Sequence, residues 1–128
     1  MTLRHEAQPQ MENVEVKGNN DALMDRVMRT INENIQDPDF GVDKLASEVG
    51  LSRTQLHRKM KEITGVSTGE FIRNLRLKQA ARLISEGKIN IAQAAFAVGF
   101  NNQTYFSTAF KKHFGMTPTE YAEKGLNP

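Results

Sequence analysis

The sequence contains no cysteine, and it also contains no long apolar run. Without thiols the chain has no disulfide framework and no thiolate metal site, and nothing in it indicates a cofactor. No segment approaches the roughly 20 apolar residues that a membrane-spanning helix needs, so we expect no membrane contact. The N-terminus has no charged-then-apolar signal pattern, which makes the cytoplasm the expected location.

Residue sets for catalysis or metal binding are also missing. Residues 65–69 match the G-x-S-x-G pattern of a hydrolase nucleophile, but that motif needs a preceding strand, and a helix is predicted here. His57 and His113 fall on predicted helix surfaces without a nearby set of ligands. We therefore expect neither an enzyme nor a metal site.

The chain does have a strongly uneven distribution of charge. Residues 1–50 contain ten acids and five bases, whereas residues 51–128 contain twelve bases and five acids, so the two parts carry net charges of −5 and +7. Sign asymmetry of this size is typical of proteins that bind a polyanion through one part of their surface. The second part is therefore where a nucleic-acid site is expected.

Apolar residues recur at helical spacing through most of the chain, and no segment is typical of a strand. The pattern predicts an all-α fold of about seven helices. Residues 1–20 are polar and lack the apolar period, which predicts a flexible linker or tail. The rest divides into a first helix-turn-helix subdomain (21–66), a long linker helix (67–87) and a second helix-turn-helix subdomain (88–128).

An internal repeat supports this division, because residues 42–72 match residues 91–122. The offset is 49 up to the glycine turns at Gly50 and Gly99, and it becomes 50 after a one-residue insertion. Ser52 and Gln55 form a predicted capping box that begins the second helix of the first copy. A short helix, a glycine turn and a second helix are the arrangement that places a recognition helix in the major groove of DNA.

The outward faces of the two predicted recognition helices have the same character. Each face contains side chains that can form hydrogen bonds, and neither contains an acid. For one helix alone, an ordinary solvated surface explains such a face equally well, but its recurrence in both copies favours DNA binding. The outward residues are Thr54, His57, Arg58 and Lys61 in the first copy, and Thr104, Ser107, Thr108 and Lys111 in the second.

The residues resemble those of the arabinose-regulator (AraC/XylS) class of transcription factors. The resemblance covers residues 21 to about 124, and its most specific stretches are Leu45–Ser52 and Ala94–Tyr121. It implies a single chain that places two recognition helices in successive major-groove segments of one duplex, for sequence-specific control of transcription. The linker helix would hold the separation between the two helices.

Carried over by position, the resemblance implies roles for individual residues. Arg58 could make a bidentate contact to guanine, and Gln103 could pair with adenine. The sequence departs from the commoner pattern at Thr108, where many members have a basic residue, and at Asn102, where an acid or serine is frequent. Base-reading residues are expected to be Thr54, His57, Arg58, Gln103, Thr104, Ser107 and Thr108. Backbone contacts are expected from Ser52, Arg53, Lys59, Lys61, Arg73, Arg76, Lys78, Asn102, Lys111 and Lys112.

No effector-sensing segment accompanies these units, which favours a part of a longer protein with a sensor or receiver domain. The first helical region through Phe40 resembles the C-terminal output domain of hybrid two-component regulators. Double-stranded promoter DNA is the expected partner, and RNA polymerase is a further candidate. The alternative hypothesis is a helical protein-interaction module that docks the transcription machinery, and its binding should depend far less on salt.

Overall fold

A computed structural model describes the backbone of residues 2–125 and the side chains of residues 18–124. This part of the chain consists of α-helices joined by turns and loops, with no strand, as the apolar period predicts. Its seven helices are α1 (Thr2–Glu33), α2 (Val42–Val49), α3 (Arg53–Thr64), α4 (Thr68–Glu86), α5 (Ile91–Ala97), α6 (Gln103–Phe114) and α7 (Pro118–Gly125).

Two apolar cores organise these helices, and α4 contributes to both. The first core joins α1, α2 and α3 and includes Ile72 of α4. The second joins α5 and α6 and includes Leu77 and the later residues of α4. We refer below to α1–α3 as the first unit and to α5–α7 as the second unit. The long helix is therefore a structural member of both units, and its apolar side chains are buried along most of its length.

The beginnings of the recognition helices are fixed by their caps. The Ser52 hydroxyl accepts a hydrogen bond from the Gln55 backbone amide at 3.1 Å, and the Gln55 side-chain oxygen accepts one from the Ser52 backbone amide at 2.9 Å. The capping box predicted for α3 is thus confirmed. The side chain of Asn102 begins α6 by accepting from the Tyr105 amide at 2.8 Å. The start of each recognition helix is set by side chains within its own first turn.

The turns before the recognition helices contain glycines with left-handed backbone conformations. Gly50 ends α2 at φ 76°, and Gly99 follows α5 at φ 92°. Residues with a Cβ rarely adopt such conformations, so glycine suits both turns. The second turn is the longer one, since five residues separate α5 from α6 and three separate α2 from α3.

The first helix begins earlier than the apolar period predicts. The backbone is helical from Thr2, whereas the sequence pattern places the start at Asp21, and the helix ends at Glu33. Residues 2–17 contain three glutamates and two glutamines, whose intrinsic helix propensity does not appear in the apolar period. The side chains of residues 1–17 lie outside the described residues, and the role of this segment as a linker stays a prediction.

Across the described residues, we find no helix with the length and apolar character that a membrane crossing requires.

Candidate nucleic-acid interface

The recognition helix of the first unit, α3, buries one face and exposes another. Leu56 and Met60 are fully buried in the first core. The side chains predicted to face outward are all exposed, and they lie at helix positions i, i+3, i+4 and i+7. They are Thr54, His57, Arg58 and Lys61.

The recognition helix of the second unit, α6, repeats this arrangement with different side chains. Phe106 and Phe110 are fully buried. The outward side chains are Gln103, Thr104, Thr108 and Lys111, which are exposed, and Ser107, which is half-buried. The hydroxyl of Thr108 donates to the carbonyl oxygen of Thr104 at 3.0 Å, so only its lone pairs are available to a partner.

The cations on α3 differ in whether an acidic side chain lies close enough to pair with them. Among the described residues, none forms a hydrogen bond or an ion pair with Arg58. Arg53 pairs with Asp43 at 3.4 Å, and Lys59 lies 3.9 Å from Glu62. Lys59 is also about 140° around the helix from Thr54, so the fold does not bring it to the outward face. Arg58 and Lys61 are therefore the cations of α3 that face outward without an ion-pair partner among the described residues.

A groove of about 470 Å³ lies between α3 and the start of α4. Arg53, Thr54 and His57 line it on one side, and Ser67 and Thr68 line it on the other. The N-terminus of a helix carries partial positive charge and unpaired amide groups, which favour an anion such as phosphate. The groove therefore joins the cationic side chain of Arg53 and a helix end at the edge of the α3 face.

A second groove of about 420 Å³ lies between α4 and α6. It brings Arg73, Thr108 and Lys112 together, so these three predicted contact residues lie near one another. Tyr105 also lines this groove and is 51% exposed. The sequence pattern did not single out Tyr105, although the repeat places it opposite the exposed Gln55 and could have indicated an outward position.

Arg76 is the clearest correction to the predicted site. Its side chain is buried, with 6% exposure, so it does not reach a DNA phosphate from this position. Its guanidinium donates to four backbone carbonyl oxygens at 2.9 to 3.3 Å. Burial lowers the pKa of Arg76 from its ordinary value, and the charge of Asp37 partly offsets that effect. The expected phosphate contact is replaced by a structural role.

The other predicted backbone-contact residues lie on the surface. Ser52 and Asn102 are exposed at the beginnings of α3 and α6, where their side-chain oxygens already cap the helices. Lys78 on α4 is exposed as well. Lys78, the hydroxyl proton of Ser52 and the side-chain NH₂ group of Asn102 can therefore still donate to a partner.

A family model described as a helix-turn-helix domain matches residues 45–124. The matched span runs from within α2 to the end region of α7, and therefore includes both recognition helices and all of α4. The chain belongs to the AraC-type helix-turn-helix family. AraC-type domains are the DNA-binding parts of transcription regulators, and this chain is such a domain.

Curated relatives of this AraC-type domain include much longer proteins. The chain is 38% identical over 102 residues to histidine kinase P4 of Formosa agariphila, covering 80% of this chain and 7% of that protein. It is 37% identical over 87 residues to the probable transcription factor PqrA of Proteus vulgaris, covering 68% of this chain and 71% of PqrA. The chain thus spans a small fraction of one relative and most of another.

Solved structures of AraC-type domains share the fold. An AraC-type transcriptional regulator from Chromobacterium violaceum is similar with a TM-score of 0.78 and 28% identity, covering 87% of this chain and 98% of that one. The C-terminal domain of AraT, a response regulator from Geobacillus stearothermophilus, is similar with a TM-score of 0.73 and 29% identity. That match covers 80% of this chain and 84% of the AraT domain. Both likenesses extend over most of each chain, so the paired-unit architecture is shared.

Proposed function

We propose that this AraC-type domain reads two neighbouring segments of one DNA duplex, with α3 and α6 in successive major grooves. The observation that supports this most strongly is the recurrence of an exposed, acid-free face at the same helix positions in two units that share α4. An α-helix with such a face fits the major groove, where base edges present distinct donors and acceptors.

The side chains divide between the two halves of the site by chemistry. On α3, the unpaired guanidinium of Arg58 suits guanine, with Thr54 and His57 beside it. On α6, Gln103 suits adenine, and Thr104, Ser107 and Thr108 offer neutral hydroxyl groups. The first unit therefore provides the stronger anchor, and the second adjusts the preference for neighbouring bases.

Phosphate contacts are assigned to cations and amides at the edges of these faces. In the protein groove between α3 and α4, Arg53 and the N-terminus of α4 would hold one phosphate. Arg53 would first have to leave its exposed ion-pair partner, Asp43. In the protein groove between α4 and α6, Arg73 and Lys112 would hold a second phosphate. Contacts of this kind position the protein without reading sequence.

The longer protein context is proposed from the relatives. Because the matches include a protein named as a histidine kinase and the C-terminal domain of a response regulator, we assign this domain to the output end of a two-component regulator. Its partner domain would be a sensor or receiver, and its place of work would be the cytoplasm, where the DNA is. RNA polymerase is the further partner that an activator would need.

Selection of bound duplexes from a random DNA pool tests the proposal directly. We expect a two-part motif whose elements lie about 10 bp apart, centre to centre. The selected duplex should then be used to compare Arg58→Ala with Arg29→Ala, an exposed arginine of the same unit on α1. Loss of preference at one base pair in the first variant alone is the expected result. A pool without any enriched motif would contradict direct readout.

Salt dependence separates this function from docking onto a protein partner. With six or more phosphate contacts, affinity for the selected duplex should fall by a factor on the order of 10³ or more between about 50 and 200 mM salt. An affinity that hardly changes over this range would favour a protein-interaction module instead.

A further inference from the structure

The guanidinium group of Arg76 joins two segments that are far apart in the sequence. Its Nη2 atom donates to the carbonyl oxygens of Asp37 and Phe40, both at 3.1 Å. Its Nη1 atom donates to the carbonyl oxygens of Gly99 at 2.9 Å and Val98 at 3.3 Å. One side chain therefore binds backbone from two loops at once.

These two loops belong to different units. The loop at 34–41 connects α1 to α2 in the first unit, and residues 98–102 form the turn that leads into α6. Arg76 itself lies on α4 between Ile72, which packs in the first core, and Leu77, which packs in the second. The arginine thus stands at the junction of the two cores and links the first unit to the turn before the second recognition helix.

The turn at Gly99 is shaped around this contact. A Cβ atom at position 99 would collide with the guanidinium of Arg76 and with the carbonyl oxygen of Ile35. Gly50, at the equivalent turn of the first unit, has open space at the same point. Close approach of the backbone to Arg76 is therefore a feature of the second turn alone.

A related contact within the first unit provides a comparison. Arg26 on α1 donates from Nη2 to the carbonyl oxygen of Val49 at 2.8 Å. The repeat places Val49 opposite Val98, so the two arginines bind equivalent carbonyl oxygens. Each unit therefore has an arginine that holds the end of its short helix, but only Arg76 also binds the other unit.

We propose that Arg76 is a positioning residue that fixes the separation and angle between α3 and α6, and thereby sets the half-site spacing that the domain accepts. This inference rests on the proposed function, in which both helices bind one duplex. The apolar contacts of α4 with the second unit have no directional preference, whereas charge-assisted hydrogen bonds to four carbonyl oxygens define an orientation.

The test measures affinity for duplexes in which the two selected elements are moved apart or together by one and two base pairs. Each added base pair shifts one element by about 3.4 Å and rotates it around the duplex axis. We expect the wild-type chain to lose affinity by a factor on the order of ten or more at one base pair from the optimum. In Arg76→Met, the ratio of the affinity at the optimal spacing to the affinity one base pair away should be about threefold or less, because the second unit can then adjust its position.

Two control variants separate positioning from general damage. Arg26→Met removes the equivalent bond within the first unit, and Arg82→Gln removes an exposed charge from the same helix as Arg76. Both should keep the wild-type ratio between spacings. If Arg76→Met weakened binding to every spacing by the same factor, its role would be structural only and the proposal would be wrong.

A second measurement needs no DNA. Since the chain has no cysteine, spin labels can be attached at Lys61→Cys on α3 and Lys111→Cys on α6 without competing sites. We expect a narrow distance distribution in the wild-type background and in Arg26→Met, and a broad one in Arg76→Met. Arg76→Lys, which keeps the charge but not the planar fork, should also broaden it.

The two measurements also keep the proposals apart. A narrow distribution in both Arg76 variants would overturn the positioning role, whatever the domain binds. A broadened distribution together with a random pool that yields no motif would leave the positioning role intact and remove the proposed DNA readout.

Discussion

The first and second units have the same arrangement of helices but differ in the side chains that form their cores. The first core is packed with aliphatic side chains such as Leu56 and Met60, whereas Phe106 and Phe110 occupy the equivalent positions in the second. Aromatic packing there continues outward, since the rings of Phe110 and Phe114 lie 4.5 Å apart. Caps and glycine turns keep the outward faces at matching positions, so the core and the reading face can differ independently.

The reading faces differ in charge as well. Arg58 of the first unit corresponds to Thr108 of the second, whose hydroxyl is already engaged with the Thr104 carbonyl. A guanidinium can form two parallel hydrogen bonds to a base, but a hydroxyl with its proton in use can only accept. The comparison indicates an anchoring unit and an adjusting unit.

The largest expected difference between the units concerns their buried arginine contacts. Arg76→Ala should lower the free energy of unfolding by about 3 to 5 kcal/mol, because it leaves several buried carbonyl oxygens without donors. Arg26→Ala, at the equivalent and exposed position, should cost about 1 kcal/mol or less. Chemical denaturation monitored by circular dichroism measures the free energy of unfolding of both variants. Similar losses would show that the contacts of Arg76 between the units are no stronger than the contact of Arg26 within the first unit.

The next expected difference is in DNA affinity. Arg58→Ala should cost about 1 to 3 kcal/mol of binding free energy to the selected duplex and relax preference at one base pair. Thr108→Ala should cost about 1 kcal/mol or less, because a single neutral hydrogen bond is lost. Titrations at one fixed salt concentration compare them. A larger loss for Thr108→Ala would reverse the assigned anchor and adjuster.

A smaller effect is expected where the helices that follow the recognition helices begin. Thr68 and Pro118 hold equivalent first positions of α4 and α7, both are buried, and the Thr68 hydroxyl has no hydrogen-bond partner among the described residues. Ser67 has φ −68° and ψ 159°, which a following proline accepts. Thr68→Pro should therefore stabilise the fold by about 0.4 to 1 kcal/mol.

Thr68→Val provides the matched control for this substitution. It removes the unpartnered hydroxyl but keeps the shape, so a gain in the thermal midpoint from valine alone would be due to the hydroxyl and not to the rigid ring. Destabilisation by proline would contradict the equivalence of the two positions.

The smallest expected effect is a dependence on pH at the capping boxes. Hydrogen bonds from the backbone and side chain of Thr117 lower the pKa of Glu120. A lowered pKa means that the carboxylate stabilises the fold above its unfolded pKa, and that this contribution is lost as the pH falls through the folded value. Glu120→Gln should therefore reduce the fall in thermal midpoint between pH 7 and pH 3.

Glu70→Gln is the control at the start of α4. The Ser67 hydroxyl accepts from the Glu70 amide at 3.2 Å, but the described contacts do not include the reciprocal bond that Glu120 makes at 2.8 Å. Ser67 and Glu70 have the residue types and spacing of a capping box, but only half of the box forms. If both glutamine variants changed the pH profile equally, the reciprocal bond would not be the cause.

Local signals in the sequence were sufficient to predict most helix bounds. The Ser52 and Gln55 box, the glycine turns and the apolar period predict α3 from residue 53 to about 64, and the predicted range 103–114 for α6 matches the structure. The box formed by Asn90 and Gln93 at the start of α5 has the same local residue pattern. These features depend on residues within one or two helical turns of each other.

The role of Arg76 could not be predicted from such local signals. Its partners lie 22 to 39 residues away in the sequence, and a basic residue on an amphipathic helix has the same local pattern whether it is buried or exposed. The equivalence of Arg26 and Arg76 follows from the carbonyl oxygens that they bind, at Val49 and Val98, and the fold shows that Arg26 is exposed and Arg76 is buried.

The shared helix α4 has a consequence for how the domain comes apart. Because its two ends belong to different cores, a cut anywhere within it would leave an apolar strip exposed on both fragments. Neither unit can therefore melt while the other keeps its complete interior, and unfolding should proceed as one cooperative transition. If the proposed sensor or receiver domain acts on α1, both recognition helices should therefore respond together.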